Sequence, residues 1–177
     1  MLCEERELAS LVEELVNILE AEEKIYQILI GYGERKRDVL IAADVPALEE
    51  ITALEQLKSD ELIQLSNKQV QVLADVATVL GKTGEKMTVS RLIACLGSQP
   101  KVQEQLTIAR DNLIAAADKM KSLNDENIVL IQQAIELNEF DLTLFKSLRQ
   151  APETANYNRS AYNTGSLLGS SGFDAKQ

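Results

Sequence analysis

The sequence predicts an all-α fold: an elongated antiparallel bundle of three long helices and one short helix, with a flexible C-terminal tail. Three observations predict it. Hydrophobic residues make up 45% of the 177-residue chain, whereas aromatics are only 4% and tryptophan is absent. A core of Leu, Ile, Val and Ala suits helix packing better than a β sandwich. Apolar residues recur at steps of three and four over long runs, the period of one helix face. Pro- and Gly-bearing stretches interrupt those runs in only a few places.

The first helix is expected over about 4–43. Its stripe is Leu8, Leu11, Leu15, Ile18, Ile25, Leu29, Tyr32, Val39 and Ala43, with Glu22 and Lys36 at two seam positions. Val12, Leu19, Tyr26 and Leu40 widen it. "AADVPALEE" interrupts the pattern, with Asp44 suited to an N-cap and Pro46 to a first turn. A reversal is expected there rather than a kink. The second helix, about 45–80, carries Leu48, Ile51, Leu54, Leu57, Leu62, Leu65, Val72, Leu73, Val76 and Leu80. "GKTGEKM" ends it with two glycines suited to left-handed turns.

A short helix follows over about 88–96, capped by Thr88 and stopped by Gly97. Ser98 is a candidate cap for the last helix, about 99–150, with Pro100 in its first turn. Its seam runs Val102, Leu106, Ala109, Leu113, Ala116, Met120, Leu123, Asn127, Leu130, Ala134, Leu137, Asp141 and Leu144. Short connections make sequential neighbours antiparallel. Residues 1–150 therefore read as a helical bundle. Residues 151–177 are rich in Asn, Ser and Gly, have no helical period and read as a flexible tail. Tyr157, Tyr162, Leu167, Leu168 and Phe173 punctuate it. It is either a frayed terminus or a segment of apolar anchors used on binding.

Composition excludes several functions. A net charge of -10 opposes nucleic acid and anionic membrane surfaces. No run is long and apolar enough to insert in a bilayer, and "MLCEERELAS" lacks the apolar core of a signal peptide. Cys3 and Cys95 read as free thiols of a reducing cytoplasm, with a bridge between them as the alternative. Histidine is absent, which removes a histidine triad, most catalytic zinc sites and the Glu-x-x-His sites of di-iron bundles. No catalytic residue, metal ligand or cofactor site is predicted.

"GYG" at 31–33 lies inside helical periodicity, so a kink or close helix contact is expected, not a phosphate loop. Arg35-Lys36-Arg37 reads as a solvated patch paired with neighbouring acids. The many carboxylates of the first helix read mostly as a solvated face. In "SLNDENIVLIQQAIELNEFDLTLF", Asn127 falls on the seam and Asn124 on its flank. A polar seam residue costs stability but can fix register by pairing with one partner. That structural role is preferred for Asn124 and Asn127; direct ligand binding is the other reading.

Three stretches together resemble the FlgN-type family of bacterial flagellar export chaperones. They are "LIAADVPALEEITALEQLKSDELIQL", "LNDENIVLIQQAIELN" and the Tyr/Asn/Gly/Ser-rich tail. The likeness covers nearly the whole chain and rests on the order of the parts. One departure is Ala43, where a glycine is often expected. The resemblance implies a cytoplasmic chaperone of hook-associated, filament-junction proteins. It would bind their C-terminal helical region, prevent premature assembly and aid delivery to the export apparatus.

Cargo contacts would map to the end of the last helix and the tail: Leu137, Phe140, Leu144, Phe145, Leu148, Tyr157, Tyr162, Leu167 and Leu168. The residues agree independently, because Phe140, Leu144, Phe145 and Leu148 offer more apolar surface than a seam requires. Bundle core is the competing reading of that cluster. A coiled-coil adaptor or dimerisation module without an export role is the alternative function, and a homo-oligomer stays open.

Overall fold

The computed structural model describes residues 2–150 apart from 83, 85 and 98, with side chains over 6–149. It contains four helices: α1 (Leu2–Ile41), α2 (Val45–Val79), α3 (Val89–Cys95) and α4 (Pro100–Gln150). The described residues contain no strand. Three long helices and one short one are the architecture that the apolar periodicity predicts. The expected cap Ser98 and the tail residues Tyr157, Tyr162, Leu167, Leu168 and Phe173 lie outside the described residues.

The reversal after α1 is built by capping chemistry. Asp44 N donates to Val39 O at 3.1 Å and Ala43 N to Leu40 O at 3.2 Å. This pair is a Schellman motif, which satisfies two carbonyls that the helix end leaves open. The motif needs a left-handed residue, and Ala43 takes it at φ 53°. Asp44 then caps α2, its Oδ1 accepting from Ala47 N at 3.1 Å, with Pro46 in the first turn. The end of α2 repeats the motif: Lys82 N donates to Ala77 O and Gly81 N to Thr78 O. There the left-handed residue is Gly81, at φ 68°.

The same motif thus uses glycine at one helix end and alanine at the other. Alanine in the left-handed region costs about 1 kcal/mol or more. Ala43→Gly should therefore stabilise the chain by roughly 0.5–1 kcal/mol, after allowing for glycine's freedom in the unfolded state. A thermal melt of this variant checks the sign; a lower melting temperature would contradict the assignment.

α1 and α2 run antiparallel and form the closest backbone pair. Two ion pairs fix their direction: Lys36 to Glu55 at 2.6 Å and Lys68 to Glu14 at 2.9 Å. The first is mostly sheltered, so Lys36 of the basic triplet holds two helices together. α1 and α4 run parallel: Ala9 faces the level of Val102, while Gly33 meets Asn127.

One core cluster joins all four helices. It contains Val12, Leu15, Ile18 and Leu19 of α1, Val72, Leu73, Val76 and Ala77 of α2, Leu92 of α3, and Leu106 and Ala109 of α4. Met87 and Leu96 close its end. Farther along, Ile25, Leu29, Ile30, Ile51, Ala116 and Leu123 are buried. Each large side chain removed from water contributes about 1.5–3 kcal/mol.

The chain divides into two units, Met1–Ile135 and Glu136–Gln177. Burial along α4 ends accordingly. Asn127 is buried, Leu130, Ile131 and Ala134 are half-buried, and every residue from Ile135 to Arg149 is exposed. The seam positions Leu137, Asp141 and Leu144 are therefore not core, contrary to the heptad reading. The reason is helix length. The Gly33–Asn127 contact sets a sequence offset of 94 between α1 and α4. With that offset the end of α1 at Ile41 lies level with residue 135, the last of the first unit.

Candidate partner-binding surface

Among the described residues, the last turns of α4 carry the densest group of exposed large apolar side chains. Leu137, Phe140, Leu144, Phe145 and Leu148 are between 45% and 65% exposed. At about 100° per residue they fall within an arc of roughly 140° on one side of the helix. The helix itself is sound here. Thr143 Oγ1 donates to Glu139 O and Ser147 Oγ to Leu144 O, so both hydroxyls are satisfied locally. Arg149 in the last turn favours the negative end of the helix dipole.

Every side chain of this cluster is exposed. A group of exposed apolar side chains this close together is a candidate interaction surface. Leu142, 58% exposed, borders the strip and was missed by the seam pattern. Asp141 is exposed between Leu137 and Leu144 and is the one charge within the arc. The structure brings five of the nine sequence-derived cargo candidates onto one helix face. The other four lie in the tail.

The asparagines separate cleanly. Asn127 is 2% exposed and its Nδ2 donates to Gly33 O at 2.9 Å. Its Oδ1 is buried without a hydrogen-bond partner. Gly33 permits this approach: a Cβ there would lie 2.8 Å from Leu123 Cδ2. The "GYG" stretch is therefore a close helix contact. Asn124 is exposed and lines a shallow groove with Tyr26, Glu55 and Met120.

Glu22 departs from the solvated acidic face. It is 4% exposed, and burial raises its carboxyl from 4.5 to about 7. The sequence signal was its place on the seam, four residues after Ile18 and three before Ile25. Among the described residues, no group of His, Cys, Asp and Glu is placed to hold a metal ion. No helix among them is long and apolar enough to cross a membrane. Cys95 is an exposed free thiol.

Comparison with known proteins gives one finding that covers most of the chain. A family model described as FlgN protein matches residues 1–165. No curated protein and no solved structure matches.

Proposed function

The chain belongs to the FlgN family, a family of flagellar export chaperones, and on that premise we propose which partner it holds and how. In this reading it works in the cytoplasm and binds the C-terminal helical region of hook-associated, filament-junction proteins. Binding prevents their premature assembly and aids their delivery to the export apparatus. No step of this task is catalytic.

The observation that carries the reading is the exposed strip Leu137, Phe140, Leu144, Phe145 and Leu148. In this reading the cargo's terminal helix is amphipathic and its apolar face drives premature assembly. A chaperone must cover such a face with an apolar surface of its own, and helix-in-groove recognition does so with anchors at three- and four-residue steps. Asp141 within the strip favours a cargo helix with a lysine or arginine opposite it. Residues 1–150 act as the helical body, while Tyr157, Tyr162, Leu167 and Leu168 of 151–177 add contacts to cargo. Asn124 and Asn127 serve structure and not cargo.

Co-purification tests this directly. The full-length chain as bait should retain a hook-associated protein, and truncation after Gln150 should weaken that capture. The truncated chain should keep its helical circular dichroism and cooperative melting. A chain that forms a stable dimer and retains no junction protein would instead be a dimerising coiled-coil adaptor.

A further inference from the structure

We propose that the groove between α2 and α4 over Glu22 docks an amphipathic helix of a second protein partner, one that inserts a single lysine or arginine against the Glu22 carboxyl. The site is independent of the apolar strip at the end of α4. Its walls are Leu62, Ile63, Ser66 and Gln69 of α2, and Leu113, Ile114 and Ala117 of α4, with Glu22 and Tyr26 of α1 at its base. It encloses about 390 Å³, within the usual range of binding clefts.

Two observations point to an occupant. Ile63 and Ile114 line it from opposite helices and are 58% and 51% exposed. Beneath them Glu22 is 96% buried, counting from its 4% exposure, and makes no hydrogen bond or ion pair among the described residues. A buried carboxyl without a partner is costly, and its ordinary remedy is a cation or a set of donors. No cation lines the groove, and its own donors, Tyr26, Ser66 and Gln69, make no hydrogen bond to Glu22 among the described residues; the little surface the carboxyl keeps opens into the groove. Among the described residues that line the groove, Tyr26 of α1 is the one other titratable group; Ser66 and Gln69 of α2 are neutral, and α4 contributes Leu113, Ile114 and Ala117.

The partner's chemistry follows. A small amine would satisfy Glu22 but leave both isoleucines in water. A purely apolar helix would cover the isoleucines but seal an unpaired carboxyl beneath it. A helix with leucine-like anchors and one central cation satisfies both, and this acidic chain attracts such a cation at long range. Because burial holds Glu22 near neutrality, binding the cation drives its proton into solvent, and affinity rises with pH through about 7.

The test uses the full-length chain with 13C-labelled glutamate carboxyls and isoleucine methyls. Glu22→Gln and Ile63→Ser assign the signals and serve as variants. The probe is a synthetic amphipathic helix with a leucine face and one central lysine, compared with the same peptide carrying norleucine. The lysine peptide should shift the Ile63 and Ile114 methyls and lower the Glu22 titration midpoint by a unit or more. At pH 8 it should bind wild type at least tenfold more tightly than Glu22→Gln. Phe140→Ala should leave these local shifts unchanged. Equal binding of both peptides at the Ile63 methyl, or an unmoved Glu22 midpoint, would overturn the proposal. A concentration-dependent dimer abolished by Ile63→Ser would also overturn it, by naming a second copy of the chain as the occupant.

Discussion

Glu22→Gln should make the chain more stable at pH 8 by about 2–3 kcal/mol and leave it little changed at pH 4. The sign follows from the raised carboxyl. Its ordinary value is 4.5 and in the folded chain it is about 7. Below 4.5 both folded and unfolded forms carry the proton, so the group is neutral in each. Between 4.5 and 7 the folded form holds the proton more firmly, and stability falls as pH rises. Above 7 the loss is complete, because the folded chain must then bury a carboxylate with no partner. Glutamine keeps the shape and removes that charge, although its amide stays short of donors and acceptors. In a chain of this length the gain corresponds to roughly 4–12 °C in melting temperature. Thermal melts of both proteins from pH 4 to 9 should diverge across the 4.5–7 window. Parallel curves would show that Glu22 reaches water or a partner in solution.

The second large effect concerns the α1–α4 contact. Gly33→Leu should destabilise the chain by about 3 kcal/mol. A Cβ at residue 33 already meets Leu123 Cδ2 at 2.8 Å and Cγ at 3.2 Å. Leu123 is 7% exposed, so it has little room to turn away. Overpacking of this kind costs about 1–3 kcal/mol. Moving α4 outward also strips Asn127 Nδ2 from Gly33 O, and an unsatisfied buried amide costs about 1–3 kcal/mol more. Gly31 supplies the control. A Cβ there meets nothing within 4 Å, so Gly31→Ala should gain about 1 kcal/mol from helix propensity alone. Chemical denaturation of both variants separates the two causes. If Gly33→Leu is as stable as wild type, the close contact does not hold in solution.

Much of this was legible in the residues. Helix period and capping signals located the four helices, because Asp44, Pro46, Thr88 and Gly81 act through local backbone chemistry that sequence carries directly. The role of Asn127 was legible in kind, as a polar seam residue seeking one partner. Its partner was not, since Gly33 is 94 residues away and a carbonyl has no sequence signature. Glu22 was misread in part because carboxylates surround it in the chain, and only the seam position hinted at burial. The heptad pattern also ran past its own core. Leu137 and Leu144 keep the period, yet they lie past the last residue of the first unit and are exposed. Periodicity reports that a face is apolar; it does not report what lies against it.

The proposed grip of the exposed α4 end on cargo is tested most directly by titration calorimetry with the C-terminal fragment of a hook-associated protein. Phe140 and Phe145 are 63% and 65% exposed, so truncating either should leave melting nearly unchanged. An aromatic anchor at an interface is typically worth about 2 kcal/mol or more, which is roughly thirtyfold in affinity. Phe140→Ala and Phe145→Ala should each weaken binding by at least about tenfold, with the wild-type melting temperature retained. Wild-type affinity in both variants would place the cargo site elsewhere on the chain, and early melting of both would return this strip to the core.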